Sequence, residues 1–277
     1  MSSTAAPDGL ASGTLPLDPA LQALARRAEA AGLNATAPPQ LADIEGWQIR
    51  LSPGQAKRSR CVNALAEGRL PLPELLQRCA QSFAAAGLPL VVRLTPFSQP
   101  ADLDERLAAL GWPAFDAADV MVLASLDSFD SVAMPGGQVL HAAEAEDYAA
   151  IAGALRGASD SEIAAHAERL RASPVPYQGF LLHRNTIRGW ELLACGQIAR
   201  EGHIVGLYDI NTPPAFRGQG HATTLCRALL AQAHLEGAQE AYLQVGVNNE
   251  PALRLYRRLG FQTAYRYHYR SPTPELA

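Results

Sequence analysis

The chain of 277 residues predicts an α/β protein of the α+β type in two domains, and three observations carry that expectation. Its length exceeds the roughly 100 to 200 residues usual for one domain. Short apolar runs alternate with segments of helical apolar spacing along most of the chain. One order of elements also occurs twice: a helix, a glycine, an apolar strand, a helix and then Leu-Gly-aromatic. It runs through Gly87, LPLVVRL and Leu110-Gly111-Trp112, and again through Gly237, AQEAYLQV and Leu259-Gly260-Phe261. The glycine-to-glycine intervals are 24 and 23 residues, which points to a duplicated domain.

The elements follow in order. Residues 1–17 are small, polar and Pro/Gly-bearing and are expected to form a flexible arm. DPALQALARRAEAAG predicts a helix with Asp18 as N-cap, Pro19 in its first turn and Gly32 as its stop. After the connector NATAPPQ, a strand is expected at EGWQIRLS with a turn at SPGQ, then a helix over 72–86. A strand at LPLVVRL, a helix near 101–110 and a strand at FDAADVMVLASL complete the first half. The turn-rich LDSFDSVAMPGGQ places a domain boundary near 127–137.

The second half opens with a strand at QVLHAA and helical material over 144–171. Two strands at YQGFLLH and GWELLACGQIAR are joined by RNTIRG, and HIVGLYDI is the next strand. In the helix after it, Ala222, Leu225, Cys226, Leu229, Leu230 and Ala233 form one apolar face, and Gly237 ends it. A strand at EAYLQVGV, a helix from Pro251 to Leu259 stopped by Gly260, and a strand FQTAYRYHYR finish the chain. The aromatic-basic alternation of YRYHYR reads as a half-buried strand, and KRSR at 57–60 as a solvated hairpin edge.

Composition narrows the function. With 48% hydrophobic residues and a net charge of -4, the chain is of ordinary globular composition and has no electrostatic footprint for nucleic acid. Cys61, Cys79, Cys195 and Cys226 are scattered, without metal-ligand spacing, and are expected to be reduced structural thiols. No metal, no membrane span and no signal peptide are expected, and the compartment expected is the cytoplasm. His203, His221 and His234 are read as surface or satisfied histidines.

The most informative stretch is FRGQGHA. Glycines at the mouth of a helix let an anion approach unpaired backbone N–H groups at the positive end of the helix dipole. The segment Arg217 to Ala222 is therefore suited to a pyrophosphate, although it has neither the Lys-Ser/Thr of a Walker loop nor the spacing of a dinucleotide fold. A simple glycine-rich turn is the alternative reading of the loop alone.

Here the chain resembles the GCN5-related N-acetyltransferase (GNAT) family, whose acetyl-CoA loop (R/Q)-x-x-G-x-(G/A) is matched by Arg217, Gly220 and Ala222. Its N-x-x-A-x-x-L-Y-x-x-x-G-F segment is matched by Asn249, Ala252, Leu255, Tyr256, Gly260 and Phe261. The resemblance covers roughly residues 138–270, and reaches the first half only through the repeated order of elements. It implies two tandem GNAT-like domains, each a mixed, mainly antiparallel sheet flanked by helices, with acetyl-CoA lying where two neighbouring strands splay apart. The expected division is an arm and helix at 1–35, a degenerate domain at 36–130 and a catalytic domain at 137–277.

The resemblance also implies roles. Backbone N–H groups of Gly218, Gln219, Gly220, His221 and Ala222 would hold the pyrophosphate, with Arg217 adding charge. Ile210, Asn211 and Thr212 would pair with the pantetheine arm as an extra strand, and Asn249 would hydrogen-bond the cofactor. Tyr256 lies on an apolar helix face, where a packed core tyrosine is one reading; the family assigns that position to protonating the CoA thiolate. The glutamate that some members use as base is replaced here by Ile204. Asp209 is the first candidate instead, because strand alternation puts it on one face with Val205 and Leu207; Glu191 and a water chain are the others. The implied activity is acetyl transfer to a primary amine of a small molecule or peptide, by a monomer or homodimer. A non-catalytic acyl-CoA sensor or assembly module is the alternative, and a nucleotide module unrelated to CoA a third. In the first half, Leu107 stands where Tyr256 does, and GRLPLPE offers no phosphate loop, so one CoA per chain is expected.

Overall fold

The computed structural model describes residues 18–54, 56–130 and 134–273. The arm at 1–17 lies outside them. The first helix, α1 (Pro19–Ala35), is capped by Asp18, whose carboxylate accepts from the backbone N–H of Ala20 at 2.7 Å and Leu21 at 3.0 Å. It runs past Gly32, contrary to the expected stop. A Cβ at Gly32 would come 3.0 Å from Gln244 Nε2, so the glycine serves close packing on the strands below it.

Next come β1 (Gln40–Ile44), β2 (Trp47–Leu51), β3 (Val62–Ala64), α2 (Leu72–Ala85), β4 (Val92–Leu94), α3 (Leu103–Ala109) and β5 (Ala114–Leu123). The sequence reading missed β1 and β3: β1 is mostly exposed and lacks an apolar run, and β3 is three residues long. KRSR is a single 3-10 turn over Lys57–Ser59 in place of a hairpin edge, with Lys57 paired to Asp116.

The second half comprises β6 (Gln138–Ala143), α4 (Ala145–Arg156), α5 (Asp160–Ala172), β7 (Tyr177–Thr186), β8 (Gly189–Glu201), β9 (Ile204–Asn211), α6 (His221–Leu235), β10 (Glu240–Gly246), α7 (Glu250–Arg258) and β11 (Gln262–Arg270). The helical stretch expected over 144–171 is two helices. Gly157 ends the first in a left-handed conformation, and Ser159 with Glu162 closes a capping box on the second.

Two compact units result. One comprises Pro38–Asp119 and the chain from Tyr265 on; the other comprises Asp18–Ala37 and Val120–Ala264. Strands run β1-β2-β3-β4-β11 in the first and β5-β10-β9-β8-β7-β6 in the second. Each set is mixed and mainly antiparallel, with one parallel pair enclosing a crossover helix: β3 with β4, and β9 with β10. The repeated order of elements thus has a structural counterpart. The helices after β3 and β9 end alike, with Leu88 N–H on Phe83 O and Ala238 N–H on Ala233 O, both at 2.9 Å. The next helices also end alike, with Trp112 N–H on Leu107 O at 3.2 Å and Phe261 N–H on Tyr256 O at 3.0 Å.

Unit membership explains two departures from the sequence reading. Helix α1 belongs with the second half, tied there by Arg27 to Glu240 at 2.6 Å and by Tyr177 Oη donating to Ala35 O at 3.0 Å. The end of β11 belongs with the first half, pairing antiparallel with β4. YRYHYR is accordingly buried on both faces, with His268 and Arg270 meeting Asp104 at 3.0 and 2.5 Å.

In the second unit, Leu225, Leu229 and Leu230 of α6 pack with Val205, Leu207, Leu243 and Tyr256 on one side of the sheet. Each such leucine contributes about 1.5–3 kcal/mol by burial. Tyr148, Ala152, Leu181 and Cys195 form a smaller core on the side of α4 and α5. The four cysteines are buried free thiols. Among the described residues, no helix is long and apolar enough to cross a membrane.

Candidate active site

The site forms in the second unit, where β9 and β10 part. Their parallel register runs from Ile204 opposite Glu240 to Leu207 opposite Leu243 and goes no further, although both strands continue. On its other side β9 pairs with β8, but Asp209 and Ile210 together face Gly196, between the pairs Tyr208–Gln197 and Asn211–Cys195. This is a β-bulge, and Asp209 takes a left-handed φ of 51° to make it. A Cβ on Gly196 would come 2.5 Å from Ile210 Cδ1, so the glycine leaves room for the Ile210 side chain beside the bulge.

The bulge corrects one step of the sequence reading. Asp209 does not share a face with Val205 and Leu207, because the extra residue shifts the alternation and turns its side chain toward α4. There its Oδ1 accepts from Arg156 Nη1 at 2.6 Å and from Asn211 Nδ2 at 2.8 Å. Oδ2 has one longer bond, from Tyr148 Oη at 3.3 Å. The Asp209 carbonyl accepts from Tyr148 Oη at 3.1 Å and Asn211 Nδ2 at 3.0 Å. Burial raises the Asp209 pKa above the usual carboxylate value, with Arg156 opposing. Sequence spacing gave no sign of Arg156 or Tyr148, which lie 53 and 61 residues away.

After β9 the chain makes a 3-10 turn at Pro214–Phe216 and then the loop Arg217 to Gly220. Gly218 and Gly220 have φ of 74° and 86°, a region costly for side-chain-bearing residues, and nothing lies within 4 Å of where their Cβ atoms would stand. Gly220 is the N-cap of α6 and supplies no side-chain cap bond to the first-turn N–H groups. A helix mouth without a side-chain cap, with room beside both glycines, fits a pyrophosphate. Arg217 is exposed, and its Nε donates to Thr212 O at 3.2 Å. Gln219 donates to Ala215 O at 3.1 Å, which ties the loop to the turn before it.

His221 is the exception among the three histidines of the sequence reading. His203 and His234 are near Gly237 O at 3.4 Å and Ala238 O at 3.0 Å, whereas the His221 ring is buried edge-on to Phe216 with Nε2 unpartnered among the described residues. Burial lowers its pKa, with Arg184 adding to the effect, so it is neutral.

Beyond β10, Asn249 caps α7, its Oδ1 accepting from Ala252 N–H at 3.3 Å. One turn on, Tyr256 is buried beside Phe261 with ring centroids 6.0 Å apart. Its hydroxyl makes no hydrogen bond among the described residues and is not one of the fully enclosed polar atoms, unlike the Tyr208 and Tyr242 hydroxyls, which bond each other at 2.6 Å. Burial pushes its pKa far above 10. Glu191, the other carboxylate considered, is paired with Arg184 at 2.5 Å.

Residues 142–261 match the family model described as the Acetyltransferase (GNAT) family. Among curated proteins, the chain is similar to N-alpha-acetyltransferase 30 of Schizosaccharomyces pombe, 46% identical over 56 residues, covering 19% of this chain and 37% of that protein. It is also similar to an N-alpha-acetyltransferase of Sulfurisphaera tokodaii, 35% identical over 66 residues, 24% of this chain and 38% of that one. The chain thus spans under two fifths of the length of these curated relatives. Among solved structures, a GCN5-related N-acetyltransferase from Kribbella flavida aligns with TM-score 0.68 at 18% identity, over 91% of this chain and 96% of that one. A tandem GNAT protein from the clavulanic acid biosynthesis pathway aligns with TM-score 0.58 at 15% identity, over 90% and 91%. At these identities the structural likeness shows the fold.

Proposed function

We propose that this chain, a member of the GNAT superfamily through its residues 142–261, moves an acetyl group from acetyl-CoA to a primary amine of a small molecule or peptide by direct attack. One observation carries the reading: β9 and β10 part beside a glycine-capped helix mouth that has no side-chain cap and has open space where a Cβ on either glycine would stand. Acetyl-CoA supplies the acyl group already activated as a thioester. Backbone N–H groups of Gly218 to Ala222 bind and orient the pyrophosphate, and Arg217 adds positive charge. The freed edge of Ile210 to Thr212 aligns the pantetheine arm as an added strand. Asn249 contributes through Nδ2, since Oδ1 is held by the cap.

Two groups handle protons. Asp209 takes one from the acceptor ammonium at Oδ2, the less occupied oxygen, and its raised pKa brings it closer to the working pH. Tyr256 keeps its phenolic proton at neutral pH and gives it to the departing sulfur as the C–S bond breaks, and the second proton, which the nitrogen loses on becoming an amide, restores the phenol through water. In this reading the unit of Asp18–Ala37 and Val120–Ala264 is the catalytic one, and the unit built around Pro38–Asp119 is a degenerate copy that binds no CoA.

The test is thiol release from acetyl-CoA with a panel of spermidine, free lysine and a tripeptide with a free N-terminus. Turnover with any of them, absent in Asp209→Asn, supports the assignment. Calorimetric CoA binding without turnover on the whole panel points instead to a non-catalytic acyl-CoA-binding module.

A further inference from the structure

We propose that Arg156 is a positioning residue, which holds the Asp209 carboxylate and the bulge of β9 in working geometry. The inference deepens the proposed function and rests on it for its catalytic consequence. The guanidinium is fixed at two points: Nη1 donates to Asp209 Oδ1 at 2.6 Å, and Nη2 lies 3.1 Å from His166 Nδ1. Burial and the neighbouring Arg169 and Arg156 lower the His166 pKa to about 4, so the ring is neutral and its Nδ1 can accept. An arginine can bridge two acceptors with one planar fork, which a lysine ammonium cannot reproduce. Asp209 sits at a positive φ, a conformation that persists only where surrounding bonds over-determine it. The bonds here come from Arg156 and Tyr148 of α4 and from Asn211.

The groups that set the charge state of Asp209 are few. From α4 they are Arg156 and Tyr148, from α5 Arg169 with His166 beyond it, from β8 Cys195, and from β9 Asn211. Arg156 makes the short ion pair to the carboxylate. Without it a buried carboxylate keeps a distant cation and neutral donors, and its proton affinity rises by about one pH unit or more.

The test follows Asp209 directly. Wild type and Arg156→Gln, labelled with 13C at the aspartate carboxyls, are titrated by NMR, with the Asp209 signal identified by its loss in Asp209→Asn. The midpoint is expected to move upward by about one pH unit or more in Arg156→Gln and by less in Arg156→Lys. The acid limb of kcat/KM, measured with the best acceptor of the panel, is expected to move with it, while CoA affinity stays within about twofold. An unmoved midpoint in a folded Arg156→Gln protein overturns the proposal; if that variant does not fold, an unmoved midpoint in Arg156→Met, which also removes the charge, does so. Midpoints that move while Asp209→Asn keeps the wild-type pH profile refute the base assignment and leave the coupling standing.

Discussion

The mouths of the two crossover helices, α2 and α6, make opposite use of their backbone donors. In the second unit, Gly218 and Gly220 face open space and α6 has no side-chain cap. In the first, the carboxylate of Glu45 accepts from the N–H groups of Arg69 at 2.5 Å and Leu70 at 2.9 Å, just before α2. These two bonds hold the Glu45 pKa below its usual value. Pro71 and Pro73 remove two more donors. The comparison extends one helix further: Leu107 is fully buried in the first core, whereas Tyr256, at the matching helix end, offers a hydroxyl with no partner among the described residues. Similar turns and helix stops therefore coexist with a helix mouth without a side-chain cap in one half and one satisfied by Glu45 in the other.

Gly220→Val should break the comparison most strongly. The side chain would fill the open space at an unfavourable φ and displace at least two charge-assisted hydrogen bonds of about 1.5–3 kcal/mol each, a loss of about 100-fold or more in CoA affinity. Calorimetry on a variant with native circular dichroism checks it; wild-type affinity would remove the cofactor from this loop.

Tyr256→Phe should come next, with kcat lower by about tenfold or more and little change in melting temperature. The loss belongs at the low end of that range because a thiol of pKa about 8.5 departs fairly well unaided. Steady-state kinetics at saturating acetyl-CoA decide it, and an unchanged kcat would make Tyr256 equivalent to Leu107, a core residue alone.

Arg217→Ala should weaken CoA binding by about threefold to fivefold, since an exposed cation contributes about 1 kcal/mol or less. The effect should shrink as salt is raised from 20 to 300 mM, following about a fivefold or smaller fall in screening length. A salt-independent loss would mean that Arg217 acts through its bond to Thr212 O and not through charge.

The smallest effect on CoA is expected from Glu45→Ala. Freeing the donors of Arg69 and Leu70 should leave affinity and turnover unchanged, because Pro71 and Pro73 still deny a phosphate two of the donors it needs. Its effect should be on stability. A carboxylate whose folded pKa is depressed stabilises above its unfolded value of about 4.3, and that contribution is lost as pH falls through the folded pKa. The melting temperatures of wild type and variant should therefore differ near pH 7 and converge as pH falls below the unfolded value and through the lower folded pKa. Equal melting temperatures at pH 7 would show that the Glu45 cap contributes nothing.

What could be read from the sequence follows the range of the interactions. Helices with strong apolar periodicity, their glycine stops and the loop before α6 are local patterns, and each lies where its spacing puts it. Gly32 misled because a glycine that ends a helix and one that lets a helix pack closely look the same in sequence. The Asp209 bulge was hidden because alternation assumes an unbroken strand, and the partners that hold Asp209 come from a helix more than fifty residues earlier. The Glu45 cap spans 24 and 25 residues and has no motif. Local chemistry thus marked the open site, while the features that close its counterpart and shape the bulge depend on tertiary contacts.

The central claim is that the second half alone holds the acyl donor. Titrating the full-length protein with CoA in a calorimeter tests it most directly. The account predicts one CoA per chain, with Gly220→Val abolishing the only binding event and Glu45→Ala leaving it intact. Two CoA per chain, or one that survives Gly220→Val in a folded protein, would contradict it.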